Sequence, residues 1–366
     1  MTPLNVDIII PVWNRPVETR NALVSLIAFS PGARLVLVDN GSDRETERLL
    51  EEFAEGLGDQ ALLLKTSRNQ GFVKAVNRGL ARGEAEFLVL VRNTSIVSDG
   101  WLEPMLEVAR SRPDAGLIVP RLEPADTQRK PPQRPRLPVV TEVAQGSFAT
   151  LLVRKELFER QGGFDETMDG GLWCLKDYSR RALRSGYVTI AAEGGVVSYS
   201  DEVPLGSLSR REETEHRSAA LYRERWGSEE FFGVFFPAET EGEFARARLL
   251  VLLRGARMGH SFTVVAHHRL YRMLEGDGFT NLHRNIRVVS LPRFFADREL
   301  RKAVDRLRAE GAVVVAGSDG MPISSAADSQ PFSWLAEAIA CRERETYQQG
   351  GATGFFRDSS EPIPVE

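Results

Sequence analysis

Between residues 6 and 91, short apolar runs alternate with segments whose apolar residues recur every third or fourth position. Val6–Val12 is an apolar run broken by one acid, the pattern of a parallel strand buried on both faces. Leu23, Leu26 and Ile27 repeat at helical spacing, and Pro31-Gly32 ends that helix. Arg34–Val38, Ala61–Lys65 and Glu86–Val91 predict three more strands. Leu49, Leu50 and Phe53 mark one intervening helix, and Phe72, Val76 and Leu80 mark the next. This alternation predicts right-handed βαβ units and a parallel sheet. Such sheets bind ligands at the carboxyl ends of their strands. The loops that matter are therefore Trp13–Arg15, Asp39–Asp43, Ser67–Gly71 and Arg92–Ser95.

After a helix over Trp101–Arg110 the pattern loosens. Gln128–Pro138 is rich in proline and basic residues, which excludes helix and central strand and reads as a solvated loop. Gly146–Val153 predicts a strand, Lys176–Ser185 a helix ending at Gly186, and Gly186–Ala191 another strand. A second unit is expected from near Gly242. Arg248–Leu253 reads as a strand, and Val264, His268, Tyr271 and Leu274 as one helical face. Ile286–Leu291 predicts a strand, Leu300, Ala303, Val304 and Leu307 a helical stripe, and Gly311–Ala316 a last strand. The helix Trp334–Arg344 follows. The expected organisation is an α/β domain over 1–240, a small three-stranded α/β module over 241–345 and a loose tail over 346–366. The module has no Gly-rich fingerprint, so no nucleotide is assigned to it. Phe231–Phe236 (FFGVFF) reads as core or inter-domain packing, and as a partner surface if exposed.

Composition narrows the function classes. The 366 residues are 42% hydrophobic and 27% charged, which excludes a disordered or collagen-like chain. A formal charge of -4 gives no global field for nucleic acid or anionic lipid. Cys174 and Cys341 are too few for a disulfide framework or a four-cysteine zinc site. No apolar run approaches the roughly 20 residues of a membrane span, and MTPLNVDIIIPVWNR lacks the pattern of a signal peptide. A cytoplasmic protein is expected. His260, His267, His268 and His283 read as packed or surface histidines, with no carboxylate or thiol set beside them.

Three stretches, DIIIPVWNR, LVLVDNGSDRET and RNQGFVKAVNRGL, resemble the family 2 glycosyltransferases, and the resemblance runs from about Asp7 to Ser200. It implies the GT-A fold, a nucleotide-sugar-binding α/β domain with a mainly parallel sheet. It also implies transfer, with inversion, of a hexose from a nucleoside-diphosphate sugar to a saccharide or surface-polymer acceptor. By the same resemblance Pro11, Asn14 and Asp39 line the nucleoside pocket, and Asn69 and Gly71 match an Asn-x-Gly motif, with Asn77 following on the helix. The residues alone leave two roles open for Asp39: an acceptor for base or ribose hydroxyls, or a helix cap or Asx turn. Gly71 permits a turn into a helix N-terminus, where free backbone N–H groups could meet an anion. Lys74, one turn further in, reads as a phosphate contact or as a solvated lysine.

Three departures from the family pattern bear on chemistry. Where the family carries an Asp-x-Asp whose last acid binds a divalent metal, this chain has Arg92, Asn93 and Thr94. Threonine alone is a poor ligand for a hard cation, so no metal is expected. Arg92 instead sets a cation where the metal would neutralise diphosphate, and the Arg129–Arg136 loop could add charge. The family's acidic pair, whose Asp would be the base, becomes Cys174 and Leu175, while Arg181 lands on the family arginine. The late histidine becomes Ser198 or Tyr199. A base must then come from Asp177, Asp169 or Glu166. Two readings follow. One is a metal-independent transferase with Asp177 and Arg92 catalytic and the donor held by Pro11, Asn14, Asp39, Asn69, Gly71, Lys74, Asn93 and Thr94. The other is an inactive relative that binds sugar nucleotide or glycan, or serves as an assembly subunit in a homo-oligomer or beside a partner transferase.

Overall fold

The computed structural model describes residues 5–124, 140–169, 172–200, 208–294, 296–318 and 329–348, with the side chains of 208–211 and 297 left out. The Arg129–Arg136 loop and the tail beyond Gln348 lie outside the described residues. The chain divides into two units, 1–227 and 228–366.

The first unit opens with the predicted alternation: β1 (Val6–Val12), α1 (Pro16–Phe29), β2 (Arg34–Asp39), α2 (Arg44–Leu57), β3 (Ala61–Lys65), α3 (Phe72–Leu80) and β4 (Phe87–Val91). Then come β5 (Ser95–Val97), α4 (Glu103–Ser111), β6 (Ala115–Pro124), β7 (Val140–Glu142), β8 (Thr150–Arg154), α5 (Lys155–Gln161), α6 (Trp173–Arg184), β9 (Val188–Tyr199) and α7 (Leu208–Trp226). One sheet runs β3-β2-β1-β4-β8-β6-β9-β5, with β7 against β9. β1 to β4 are mutually parallel, as expected from the alternation. Past β4 the sheet is mixed, because β8 runs antiparallel to both β4 and β6.

Alternating residues of β1 feed two cores, which explains why its run is apolar on both faces but for one acid. Ile8, Ile10 and Val12 pack with Leu23 and Leu26 of α1 and Trp101, while Ile9 packs with Val73 and Val76 of α3 and Tyr178 of α6. The one acid in the run, Asp7, is buried and ties three segments together. It accepts from Arg34 Nε (3.0 Å) and Nη2 (2.6 Å), and from the backbone N–H of Glu84 and Ala85. Burial pushes its carboxyl up, but the Arg34 guanidinium and the two amides outweigh that and hold it below the usual carboxylate range. A carboxyl depressed in the fold stabilises above its unfolded pKa and loses that contribution as pH falls through the folded one. Denaturant titrations at pH 7 and pH 3 are therefore expected to show an acid loss in the wild type that is smaller in Asp7→Asn.

The second unit differs from the sequence-based expectation in several places. Its sheet has four parallel strands, not three: β10 (Phe231–Phe235), β11 (Ser261–Ala266), β12 (Ile286–Ser290) and β13 (Val313–Ala316) in the order β12-β11-β10-β13. Phe231–Phe235, read as packing or a partner surface, is a central strand, with Phe232, Phe235 and the following Phe236 at 1–2% exposure. Its membership puts the division between the units at Gly227/Ser228, ahead of residue 240. Arg248–Leu253, read as a strand, lies inside α8 (Gly242–Arg257). Leu249, Leu252, Leu253 and Ala256 are buried at helical spacing, a period that a short apolar run cannot distinguish from a strand. Val264 likewise belongs to β11, and α9 begins only at His268 (His268–Gly276). The unit is completed by α10 (Ala296–Ala309) and α11 (Phe332–Gln348). Among the described residues no helix is long and apolar enough to cross a membrane.

Candidate active site

The carboxyl ends of β1, β2 and β3 are joined by side-chain hydrogen bonds. β1 leaves the sheet through Asn14 and Arg15, both left-handed at φ 57° and 64°, a strained pair for residues with a Cβ. The Asn14 N–H donates to Ser42 Oγ (3.0 Å), and Asn14 Oδ1 accepts from the Asp43 N–H (2.8 Å). Asp39 is buried, and its Oδ1 accepts from the Ser42 N–H (2.9 Å). The cap-or-turn role left open for Asp39 is thus filled by one of its two oxygens.

The next loop is drawn in by Asn40, which the sequence did not single out. Its Nδ2 donates to Asn69 Oδ1 (3.0 Å) and Gly71 O (3.1 Å), and its Oδ1 accepts from the Gln70 N–H (3.0 Å). Asn69 Oδ1 also takes the Gly71 N–H (2.8 Å). Gly41 allows this closeness: at φ 72° its absent Cβ would lie 2.3 Å from the Arg68 carbonyl carbon. Asn14, Asp39, Asn69 and Gly71 are therefore brought together. Pro11 pairs in register with Val38 inside the sheet, and Lys74 is exposed on α3.

The start of α3 already meets an anion. Asp169 accepts from the backbone N–H of Phe72 and Val73, so the helix end expected to face a ligand phosphate carries a carboxylate of this chain. The residue is exposed overall, yet its carboxyl end is turned onto the helix, and the absent Cβ of Gly71 would lie 2.9 Å from Asp169 Oδ2. Burial of that end pushes the carboxyl up to about 6, against the pull of the two amides, with the Glu166 charge adding a smaller rise.

Arg92 directly follows β4 beside this helix end, its Cζ 5.5 Å from the centroid of the Phe72 ring. One residue, Phe72, thus touches both charges: its amide meets Asp169 and its ring meets Arg92. Asn93 turns away, donating through Nδ2 to Thr19 Oγ1 of α1 (3.0 Å), and is buried. Thr94 is buried, and its hydroxyl has no hydrogen-bond partner among the described residues.

Asp177 is placed differently from the catalytic role expected of it. It is fully buried in α6, where Oδ2 accepts from Arg181 Nε (2.8 Å) and Oδ1 from Arg225 Nη1 (2.7 Å) and Trp226 Nε1 (2.9 Å). With both oxygens taken and no solvent access, it cannot meet an acceptor hydroxyl. Its partners hold the Gly163–Asp169 turn instead. Arg181 Nη2 donates to Gly163 O (2.8 Å), and Arg225 Nη2 to Asp165 Oδ2 (2.8 Å). From α3, Asn77 donates to Phe164 O and accepts from its N–H, both at 2.8 Å, and donates to Glu166 Oε1 (3.1 Å). The turn that presents Glu166 and Asp169 is thus clamped between α3 and α6. Cys174 is buried, with its thiol pushed up to about 12 by burial, and so is inert.

No three His, Cys, Asp or Glu side chains gather as metal ligands among the described residues. The Arg92-Asn93-Thr94 donor set holds one hydroxyl, one amide committed to α1 and a cation. It does not suit a divalent metal.

Residues 7–164 match the model of glycosyl transferase family 2. This stretch is a family 2 glycosyltransferase domain. Over 223 residues the chain is 29% identical to a protein provisionally named polypeptide N-acetylgalactosaminyltransferase 13 of Drosophila melanogaster, covering 56% of this chain and 35% of the relative. Over 80 residues it is 32% identical to polypeptide N-acetylgalactosaminyltransferase 5 of Caenorhabditis elegans, covering 22% and 13%. Among solved structures, GalNAc-T7 with UDP, GalNAc and Mn2+ superposes with a TM-score of 0.50 at 15% identity, over 60% of this chain and 48% of that one. That similarity concerns the fold alone. The chain spans about a third of the first relative's length and less of the second. The family 2 domain has the GT-A fold, and it lies within the first unit.

Proposed function

We propose that the chain transfers a hexose from a nucleoside-diphosphate sugar to a saccharide or polymer hydroxyl without a divalent metal. The observation that carries this is the meeting of Arg92 and Asp169 at Phe72: a cation near the position of the family's metal-binding acid, and a carboxyl whose raised pKa suits a base near neutrality. The acceptor hydroxyl gives its proton to Asp169, and its oxygen bonds to the anomeric carbon. The bond from that carbon to the diphosphate oxygen breaks, and the nucleoside diphosphate leaves with the electron pair. Arg92 stabilises the charge growing on the leaving group through its planar fork of donors. Asn14, Asp39, Asn69 and Gly71 form the nucleoside end, and Asp177 acts as a positioning residue. Support also comes from the names of the two relatives, which make UDP-N-acetylgalactosamine the first donor to try.

The test is donor hydrolysis and transfer in EDTA. Turnover is expected to persist in EDTA and to fall about 10²–10³-fold in Arg92→Ala, the scale of losing one charge-stabilising donor. Turnover that needs added manganese refutes metal independence. A nucleotide-induced melting shift without turnover leaves binding, not transfer, as the activity.

A further inference from the structure

The second unit has a cavity at the place where open α/β sheets take ligands. The chain runs from β10 outward through β11 to β12, then returns to β13 on the other side of β10. Strand order therefore reverses between β10 and β13, and the carboxyl ends of these two strands form a topological switch point. Gly317 keeps the two ends close: its N–H donates to Phe235 O (2.8 Å), and its absent Cβ would lie 2.6 Å from the Phe236 ring. There the residues following both strands, with the first turn of α8, line a cavity of about 230 Å³: Pro237, Glu239, Thr240, Glu241, Phe244 and Ser318.

We propose that this cavity binds one ring of a neutral saccharide. Its volume lies below the roughly 300–1,000 Å³ of sites for drug-sized ligands, which suits a single sugar. Its chemistry selects a polyol. Glu239 and Glu241 offer acceptors for sugar hydroxyls and repel phosphate, so the strand-turn-helix here, which also lacks a Gly-rich turn, does not suit a nucleotide. Ser318 adds a hydroxyl, while Thr240 lines the cavity with its own hydroxyl oxygen buried. Phe244 is 40% exposed, with the Arg248 guanidinium 4.3 Å from its centroid, so the ring is braced and still presents apolar surface for the C–H face of a pyranose. The same residues do not suit a metal, since no three ligating side chains gather among those described. This site does not depend on the transferase reading, because it lies wholly within the second unit.

The test uses the full chain and saturation-transfer NMR with methyl glycosides of glucose, galactose, mannose, N-acetylglucosamine and N-acetylgalactosamine. Each is measured with and without UDP and inorganic phosphate. At least one glycoside is expected to bind saturably, undisplaced by UDP or phosphate. Phe244→Ala and the double variant Glu239→Gln/Glu241→Gln are each expected to weaken it by about tenfold or more, with unchanged thermal melting and unchanged UDP binding. Absence of saturable binding overturns the proposal, as does undiminished binding in both variants. Displacement by UDP assigns the saccharide to the first unit, and displacement by phosphate makes the site anionic; either result also overturns it.

Discussion

Asp177→Ala is expected to lower the unfolding free energy by about 3–5 kcal/mol, the cost of removing one partner from a buried ion pair and stranding the other. The carboxylate has no solvent access, and three donors converge on it from α6 and α7. Arg181 is largely buried, so its charge would be left with two neutral carbonyls, those of Gln161 and Gly163, and the face of the Tyr178 ring. Arg225 is 40% exposed as a side chain, so water softens that part of the loss. Urea titration at pH 7 measures the shift in midpoint. A loss under about 1 kcal/mol would show that the hub is not structural. A stably folded, inactive Asp177→Asn would return this residue to the role of base.

Asp169→Asn separates chemistry from stability. Turnover is expected to fall about 10²–10⁴-fold, the contribution of a general base. Fold stability at pH 7 is expected to hold or rise. Asp169 is raised to about 6 in the fold, above its unfolded value, so the folded chain holds that proton more tightly. Between roughly pH 4 and 6 the unfolded chain gives up the proton first, and stability from this group falls as pH rises. The amide variant removes that penalty, which is on the order of 1 kcal/mol once the residue's exposure is allowed for. Its side-chain oxygen can still accept from the Phe72 and Val73 amides, so α3 keeps its cap. In the wild type, kcat/KM is expected to rise through pH 6 as the base ionises. A wild-type profile flat across that range, or an Asp169→Asn enzyme of near-normal rate, rules Asp169 out as the base. The same variant of Glu166, Glu166→Gln, then becomes the decisive comparison.

These outcomes turn on where two acids of one short segment come to rest, and the sequence could not rank them. Asp169, Asp177 and Glu166 all stood as candidate bases, because spacing from Gly186-Tyr187 fixes register but not depth. Burial separated them. Arg225 and Trp226, which neutralise and enclose Asp177, lie 48 and 49 residues further along, too far for any local pattern to pair them. Asp169 capping α3 is also a long-range event: Phe72 and Val73 precede it by almost a hundred residues, and the free helix end expected from Gly71 is filled for that reason. Asn40 carried no signal of its own beside the more conspicuous Asp39.

What the chain alone determined was what depends on local period and on residue chemistry. Apolar runs alternating with helical spacing set the four parallel strands β1 to β4, since a strand such as β4, covered on both faces, has no polar side to show. The absence of a carboxylate at Arg92-Asn93-Thr94 was likewise visible in one dimension, because a side chain's charge type needs no coordinates. Tertiary structure alone decided the rest. A short apolar segment is compatible with either period until neighbours cover it, so Phe231–Phe235 became a central strand and Arg248–Leu253 part of α8. Whether a carboxylate is a structural hub or a reactive group depends on which donors and how much water surround it. Those surroundings are assembled only when segments far apart in the chain pack together.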